Sequence, residues 1–436
     1  MKFPIIHKEI LALSIPAIVT NITTPLLGIV DVAIAGHMGS AVYIAAIAVG
    51  GTMFNMLYWL FAFLRMGTSG MTAQAYGARD FTATSHSLYR ALIVALLVGL
   101  AIVAMQVPLG KGVLAFIDSG GEATGNYAWR YFSICVWGAP AFLGTFALSG
   151  WFLGMQDSKA SMWVSIVINM VNIAVSLLLV YAAEWGIEGI AVGTLTAQWV
   201  GFLTALVMCR REKYGLKRAS FSSIFLWSQL KRFFSVNVDI FLRTVCLVAV
   251  TVWFTRMGAQ QGAVTLAVNA LLMQLFMLFS YFMDGFAFAG EALAGRFIGE
   301  RNQLRLSDCV KALMLWGLAI AVLFTAIYAL SGQGFLSLLS SDAEVIAASG
   351  EYFWWAVAIP FAGFVAFTWD GIFIGATLTR MMLLSMFSAA VVFFAIYQVL
   401  YPSMGNHALW LAFISYLVTR GITLTLTSKR LRNMFQ

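Results

Sequence analysis

The sequence predicts an all-α integral membrane protein with about 12 transmembrane helices in two pseudo-symmetric six-helix lobes. Three observations support this fold class. The chain of 436 residues is 61% hydrophobic and only 10% charged, whereas soluble domains are about half apolar and a quarter charged. Long apolar runs recur along the whole chain, and its two halves share short motifs at a nearly constant separation.

About twelve apolar runs are long enough to cross the hydrocarbon core, which takes roughly 20 residues of helix. The first run follows Lys2 and Lys8, as in a signal peptide. It continues beyond the length of a signal peptide without a small-residue cleavage site, so we expect it to be retained as a helix. The predicted spans are 9–35, 44–76, 88–117, 126–154, 160–183, 186–210, 229–256, 263–297, 308–337, 345–375, 380–402 and 406–430.

The basic residues predict the orientation of these spans. With the N-terminus in the cytoplasm, nearly all Lys and Arg residues fall on the cytoplasmic side, and the outer side keeps only Lys111, Arg130 and Arg256. This asymmetry is the positive-inside pattern of membrane proteins. The net charge of +8 therefore indicates cytoplasmic loops, with both termini in the cytoplasm, and gives no reason to expect nucleic acid as a partner.

The two halves of the chain resemble each other. "YGARD" (76–80) matches "IGERN" (298–302) at an offset of 222 residues, and "SGWFLG" (149–154) matches "DGIFIG" (370–375) at an offset of 221. Six spans per half return the chain to its starting side, so the repeats are parallel, an arrangement found in transporters that bind their substrate between two repeats.

The densest basic stretch, 209–220, lies near the midpoint and predicts the boundary between the repeats. The predicted segments are an N-terminal six-helix lobe (1–210), a cytoplasmic linker (211–228) and a C-terminal six-helix lobe (229–436).

An acidic residue lies deep in the first span. Ionisable groups at such positions are costly and commonly mark ion pathways or proton relays. Because low dielectric disfavours the charged form of a carboxyl group, Asp31 can hold a proton while shielded and release it when the site opens to water. Pro16 and Pro25 each remove a backbone donor, which lets this helix bend. The alternative is that Asp31 only hydrogen-bonds backbone groups freed near the kink.

The fifth span adds polar groups that can belong to the same site. Asn169, Asn172 and Ser176 lie near one face of the predicted helix. Such side chains commonly hydrogen-bond neighbouring helices. Together with Thr194 they can also complete a site around Asp31, provided that spans one and five adjoin.

The C-terminal lobe contains a second set of candidates. Asp239 and Arg243 lie four residues apart on one helix face, so they can form either a structural or a functional pair. Asp284 and Glu291 share a face of the eighth span, and Asp370 lies in the tenth. The sequence leaves open whether these groups take part in coupling or only stabilise the lobe.

Enzyme activity is not expected. Neither H-E-x-x-H nor G-x-S-x-G occurs, so the sequence carries no signature of a metalloprotease or of a serine hydrolase. The four histidines and four cysteines are scattered without the spacing of a zinc site or a disulfide framework. We therefore expect no cofactor and no bound metal apart from a coupling cation. A monomer is the simplest expectation, because one chain contains both lobes.

Six motifs together resemble the multidrug and toxic compound extrusion family, and more narrowly its DNA-damage-inducible F subfamily. They span nearly the whole chain, and the combination is more specific than any one of them. The motifs are "PLLGIVDVAIAGHMG" (25–39), "FLRMGTSGMTAQAYGARD" (63–80), "WFLGMQDSKASM" (151–162), "VNVDIFLRT" (236–244), "MDGFAFAGEALAGRFIGERN" (283–302) and "WDGIFIGAT" (369–377).

The resemblance implies two lobes that form a V in the bacterial inner membrane. It implies export of small amphipathic or cationic organic compounds in exchange for protons or sodium, with membrane lipids as the surroundings. It also implies that Asp31 is the coupling carboxylate. Pro16 lies fifteen residues before Asp31, where family members carry the proline at which this helix bends.

One position departs from the family pattern. Members often carry N-x-x-N-x-x-x-D in the fifth span, and here Ser176 takes the place of the aspartate. Because a sodium site usually needs two carboxylates or a dense cage of oxygen ligands, we expect proton coupling. Sodium stays open as an alternative, with Asn172, Ser176 and Thr194 as ligands beside Asp31.

A flippase for lipid-linked precursors shares the two-lobe plan. Such a protein is expected to line its cavity with many basic residues for a pyrophosphate group. Only Arg65 and Arg243 are expected inside the spans, which disfavours this alternative.

Overall fold

The computed structural model describes residues 3–38, 40–117, 121–217, 224, 226–337 and 342–435. Lys2 and a part of the predicted linker, 218–223 and 225, lie outside the described residues. The α-helices of the described part are α1 Phe3–Gly36, α2 Ala41–Trp59, α3 Phe63–Gly77, α4 Phe81–Ala104, α5 Gln106–Ile117, α6 Glu122–Cys135, α7 Ala139–Gly154, α8 Ser158–Leu177, α9 Ile187–Cys209, α10 Trp227–Gln260, α11 Ala263–Gly299, α12 Gln303–Ser331, α13 Gln333–Leu336, α14 Ala343–Gly375, α15 Thr379–Met404, α16 Asn406–Thr427 and α17 Lys429–Asn433.

Helices account for all the regular structure in these ranges, which confirms the all-α class. Within the described ranges, twelve helical segments are long and apolar enough to cross a membrane, from Ile5–Gly36 to Asn406–Asn433. This confirms the predicted number of spans.

The second and the fourth predicted spans each contain two helices. The second span breaks between α2 and α3, and the fourth span passes through a short 3₁₀ segment, Val136–Gly138, between α6 and α7. Pro140 stands at the start of α7, where its missing N–H and fixed φ suit a helix N-terminus but not a helix interior. The apolar composition continues across both breaks, so hydropathy alone does not show them.

The third span differs from its predicted range of 88–117. Helix α4 begins at Phe81, because Asp80 caps it by accepting a hydrogen bond from the Ala83 amide at 2.9 Å. It ends at Ala104, and Gln106–Ile117 forms the separate helix α5. The residues at the start of α4 are mostly polar and precede the apolar run. The span predicted from hydropathy therefore begins later than the helix does.

The helices divide into two compact units. Unit 1 consists of Met1–Ile18 with Phe234–Gln436, and unit 2 is Val19–Phe233. Each unit contains apolar clusters of its own, around Phe279 and Trp410 in unit 1 and around Phe132 and Trp151 in unit 2. This division follows packing alone, and the lobe and linker boundaries given above stay a prediction.

The internal repeat appears as matched backbone contacts inside each unit. In unit 2, a Cβ on Gly150 would lie 2.2 Å from the carbonyl oxygen of Arg65. In unit 1, a Cβ on Gly371 would lie 2.1 Å from the carbonyl oxygen of Ala287. The two glycines differ by 221 positions and their partners by 222, the offsets of the sequence motifs.

One turn further along, the same contact recurs. Gly154 packs on the carbonyl of Ser69 in unit 2, and Gly375 packs on the carbonyl of Glu291 in unit 1. Small residues four apart let helix backbones touch directly, which is a common packing mode in membranes. The repeated motifs therefore encode the same helix pair twice.

Tight turns repeat at the same offsets. Arg79 and Arg301 have left-handed φ values of 59° and 52°, and Gln156 and Thr377 have values of 63° and 54°. A non-glycine residue is uncommon in this conformation. Its occurrence at positions 222 and 221 apart indicates that the connections, and not only the helices, are duplicated.

Asp157 ties the segment after α9 to the start of α8 within unit 2. Its Oδ1 caps α8 by accepting from the Ala160 amide at 3.1 Å, while Oδ2 accepts from the Tyr214 hydroxyl at 2.7 Å and from the Lys213 ammonium. Burial alone would raise the pKa of Asp157, but the hydrogen bonds from Lys213 and Tyr214 hold it below its ordinary value.

The chain between the repeats also docks on α4. The buried Arg90 donates from Nε to the Ile224 carbonyl at 2.7 Å and from its guanidinium to the Gln229 side chain. The Lys217 amide donates to Ser85 Oγ at 2.9 Å. The described residues of the predicted linker are therefore attached to unit 2 at several points.

The glycine contacts lead to a stability prediction. Gly150→Ala and Gly371→Ala each bring a methyl group against a backbone oxygen, and we expect each change to cost about 1–3 kcal/mol or more. The apparent melting temperature of the purified protein in detergent is the measurement. Gly51→Ala is the matched control, since a Cβ there meets nothing within 4 Å and alanine favours helix. Equal melting temperatures for all three variants would contradict the contact.

The Asp157 cluster leads to a pH prediction. A carboxyl group with a lowered folded-state pKa stabilises the protein fully above its ordinary value of 3.8 and loses this contribution as the pH falls through the folded-state value. Asp157→Asn keeps the cap, so at neutral pH we expect it to be less stable by about 1 kcal/mol. Melting curves from pH 7 downwards should show this difference shrinking in acid.

Asp80→Asn is the control for this pH series. Asp80 caps α4 as Asp157 caps α8, but it forms no ion pair within the described ranges. A pH-dependent stability loss of similar size in Asp80→Asn would show that capping, and not the Lys213–Tyr214 cluster, is responsible.

Candidate functional site

Asp31 lies on α1 inside unit 2, with only 1% of its surface exposed. Its Oδ2 accepts hydrogen bonds from the Thr194 hydroxyl at 2.9 Å and the Tyr131 hydroxyl at 3.1 Å. Asn172 donates from Nδ2 to Thr194 Oγ1 at 3.0 Å. The site therefore combines α1, α6, α8 and α9, and it brings together Asp31, Asn172 and Thr194.

Two glycines let the surrounding helices approach closely. A Cβ on Gly193 would lie 2.0 Å from Ser176 Oγ, so α9 reaches α8 only because that position lacks a side chain. A Cβ on Gly50 would lie 2.6 Å from the ring of Tyr131. Ser176 is fully buried beside Gly193. Gly193 directly precedes Thr194 of the site in the sequence.

The electrostatics of the site are unusual for a buried carboxyl group. Within the described ranges, no Lys, Arg or His forms an ion pair with Asp31, and the hydrogen bonds to its Oδ2 come from neutral hydroxyl groups. Three buried oxygens of this region have no hydrogen-bond partner among the described residues: Asp31 Oδ1, Asn172 Oδ1 and Ser176 Oγ. An ionised, uncompensated carboxylate in the interior is very costly, so this group is suited to binding a proton or a cation.

Asn169 and the prolines lie outside the immediate surroundings of Asp31. Asn169 donates to the Ser165 carbonyl at 2.9 Å, one turn earlier on α8. Pro16 and Pro25 both lie inside α1, which is continuous from Phe3 to Gly36. The bend expected near them stays a prediction.

In unit 1, Asp370 is the counter-charge of two arginines. Arg243 and Arg420 both donate from Nη2 to Asp370 Oδ2, and all three residues are buried. Arg420 also lies over the ring of Tyr416, 5.4 Å from its centroid, a favourable position for a guanidinium. This arrangement compensates the carboxylate fully, in contrast to Asp31.

Asp239 and Arg243 do not pair with each other in the described part of the chain. Asp239 instead accepts from the Thr379 hydroxyl at 3.1 Å and lies 3.5 Å from Arg380 Nη1. Instead of a pair within α10, Asp239 forms an ion pair with α15 and Arg243 forms one with α14.

The remaining acids of unit 1 lie on α11. Glu291 is fully buried, and its backbone carbonyl is the one against which Gly375 packs. Asp284 is half-buried, two turns earlier on the same helix.

The MatE family model matches residues 16–178 and 221–400, more than half of the chain. DNA damage-inducible protein F of Escherichia coli (strain K12) is 36% identical over 427 residues, which cover 97% of this chain and 92% of that protein. The chain belongs to the MatE family. The resemblance to the multidrug and toxic compound extrusion family and to its DNA-damage-inducible F subfamily is thereby confirmed.

More distant relatives of this MatE chain agree with the fold. Multidrug resistance protein MdtK of Edwardsiella ictaluri (strain 93-146) is 22% identical, over 96% of this chain and 94% of that protein. A solved MATE in the bent conformation has a TM-score of 0.86 at 18% identity, over 100% of this chain and 98% of that chain. An outward-facing multidrug resistance MATE family transporter has a TM-score of 0.82 at 20% identity, over 98% and 96%. At such identities the structural likeness shows the fold alone.

Sequence reasoning missed two residues of this MatE chain. No sequence motif singles out Tyr131 as a site residue, although the hydroxyl of a buried tyrosine usually needs a partner. Arg420 was counted among the cytoplasmic basic residues. It lies nine residues before Lys429, or about 14 Å of helix, and that distance into the span was the available signal.

The two carboxyl environments predict opposite effects of neutral substitution. Asp370→Asn leaves two buried guanidinium groups without their counter-charge, and breaking such a buried pair costs about 3–5 kcal/mol. Asp31→Asn removes no ion-pair partner and keeps the shape, so we expect an unchanged or higher melting temperature. Thermal unfolding of both purified variants checks this contrast, and a comparable loss in Asp31→Asn would show that Asp31 is a structural residue.

Proposed function

We propose that the chain is a cation-coupled antiporter of the bacterial inner membrane. It exports small amphipathic or cationic organic compounds in exchange for protons, and Asp31 is the coupling carboxylate. Membership of a multidrug efflux family supports transport, and relatives carry names such as multidrug resistance protein MdtK. We propose no enzymatic reaction and no cofactor, and a monomer as the working unit.

The observation that carries the proposal is the absence of a counter-charge at Asp31 within the described ranges. Asp370 has two arginines and Asp239 has Arg380, so these acids are compensated without a transported ion. Asp31 has two hydroxyl donors on one oxygen and none on the other. A mobile cation can supply the missing positive charge, and a proton on Oδ1 neutralises the carboxyl group in the least space.

The hydrogen-bond network provides a way to couple the ion to conformation. Thr194 and Tyr131 hold Asp31 Oδ2 from two different helices, α9 and α6. Charging Asp31 strengthens these hydrogen bonds and raises the cost of keeping the site dry, whereas neutralising it removes both effects. We propose that proton loss shifts α1 relative to these helices, with Pro16 and Pro25 as the positions at which the helix yields.

The orientation belongs to the same proposal. The distribution of basic residues supports an orientation with both termini in the cytoplasm. In this orientation, the beginning of α1 and the beginning of α8 face the cytoplasm. Inward proton movement down its gradient then drives export of the organic substrate.

Sodium coupling is the second candidate, and specific atoms favour it. Asn172 Oδ1 and Ser176 Oγ are buried without a hydrogen-bond partner among the described residues. With Asp31 Oδ1 and the Thr194 hydroxyl, they supply only oxygen ligands of the type that hard cations prefer. A flippase for lipid-linked precursors is less favoured, because the two arginines buried in unit 1, Arg243 and Arg420, already share Asp370.

Transport by purified protein in liposomes tests the proposal. With an imposed pH gradient and no sodium, we expect the wild type to move a cationic dye and Asp31→Asn to be slower by at least about tenfold, because the intramembrane relay group is lost. Glu122→Gln is the control, since Glu122 is an exposed acid in the first turn of α6.

The opposite outcomes are equally clear. Undiminished pH-driven transport by Asp31→Asn would remove Asp31 as the coupling group. A wild type that is inert until a sodium gradient is added, and a Ser176→Ala variant that needs more sodium for half-maximal rate, would replace the proton by sodium.

A further inference from the structure

Polar side chains form a continuous stripe along the fifth span. Ser161, Ser165, Asn169, Asn172 and Ser176 follow each other on α8 at steps of three or four residues, so they lie on one face of the helix. The stripe extends over about 22 Å of a helix about 30 Å long. It begins near the start of α8 and ends beside the Asp31 site.

Four of the five residues of the stripe form side-chain hydrogen bonds within unit 2, and Ser176 Oγ has no partner among the described residues. Ser161 donates to the Ser149 carbonyl at 3.4 Å, and the Ser165 hydroxyl lies 3.0 Å from Thr23 Oγ1 on α1. Asn169 then donates back to the Ser165 carbonyl. The next residue of the stripe, Asn172, donates to Thr194, which donates to the Asp31 carboxyl group as described above.

Burial increases along the stripe towards Asp31. Ser161, Ser165 and Asn169 are half-buried, whereas Asn172 and Ser176 are completely buried. The side chains nearer the start of α8 are therefore partly exposed at the surface of the described residues, and the last two steps towards the carboxyl group are closed.

The other end of the site is apolar. Beyond Asp31, α1 continues through Ile34 and Ala35, which pack with Val180, Ile187 and Ile190 in one buried cluster. A charged or hydrated species moving from Asp31 in this direction would meet the mainly apolar side chains of this cluster, at high cost. Polar side chains recur at every turn along the stripe but not through this cluster.

We propose that the stripe is the route by which the coupling cation moves between Asp31 and the membrane face at which α8 begins. This inference rests on the proposed function and adds the path to it. Hydroxyl and amide groups at these spacings can hold a chain of waters that carries a proton, and they can equally replace part of the hydration shell of sodium. In the proposed orientation this face is the cytoplasm, so the stripe is the release route of the antiporter.

The competing explanation is that these groups only join helices, as polar side chains in membranes often do. Accessibility to water separates the two explanations. A serine that only joins helices is shielded from water, whereas a serine on an ion route is in contact with water. We would introduce Ser165→Cys into a transport-competent variant in which the four native cysteines are replaced by alanine. A charged, membrane-impermeant thiol reagent is then added from either side of oriented vesicles.

Leu203→Cys is the matched control. Leu203 lies six residues from the end of α9, Ser165 lies seven from the start of α8, and Leu203 is 54% exposed on the protein surface. We expect the cytoplasmic reagent to modify Ser165→Cys at least about tenfold faster than Leu203→Cys, because a charged reagent does not dissolve in hydrocarbon. Equal rates, or modification of Ser165→Cys from the outer side only, would overturn the route.

A second variant keeps the inference testable if the cysteine background unfolds. In the native chain, Asn169→Leu removes a polar step from the stripe at similar volume. We expect ion-driven transport to slow about fivefold while dye affinity, measured by equilibrium binding, stays unchanged. Unchanged transport in this variant would count against the route.

The two hypotheses fail in different ways. Modification of Ser165→Cys does not depend on transport. If it is fast while Asp31→Asn transports normally, the stripe is accessible to water but Asp31 is not the coupling group. Slow modification combined with inactive Asp31→Asn would instead keep the coupling carboxylate and discard the path.

Discussion

The cost of a buried, uncompensated carboxylate is the constraint on which the rest of unit 2 depends. Asp31 can be tolerated only because Thr194 and Tyr131 donate to one of its oxygens and because the helices that carry them approach closely. That approach requires glycine at Gly193 and Gly50. The residual cost is not removed by any charged partner among the described residues, and this makes the site responsive to an added cation instead of inert.

Unit 1 meets the same kind of cost in a different way. It holds Asp370 between Arg243 and Arg420, so this carboxylate is compensated inside the protein whatever the surrounding ion concentration. The two units share a fold by repetition, yet the repeated frame carries a compensated cluster in one and an uncompensated carboxyl group in the other. Equivalent architecture therefore does not mean equivalent chemistry, and the roles of acids in one unit cannot be transferred to the other by symmetry.

Much of the fold could be predicted from the sequence, because hydropathy and motif spacing record it directly. The twelve spans and the internal repeat were accessible in this way, and Asp31 stood out as an acid deep in an apolar run. The breaks inside the second and fourth spans were not, because apolar composition continues through them. Tyr131 and Arg420 were missed for a related reason: the partner of a buried polar group is chosen by tertiary packing, and no local pattern states it.

The glycine contacts carry a mechanical consequence. Where Gly150 meets the Arg65 carbonyl and Gly371 meets the Ala287 carbonyl, no side chain lies between the two helix backbones to act as a deformable layer. Such helices cannot slide along each other without first separating, since the ridge of one backbone sits in the groove of the other. The pairs α3–α7 and α11–α14 therefore each move as a rigid unit. Any conformational change of the protein has to occur between helices that contact each other through side chains.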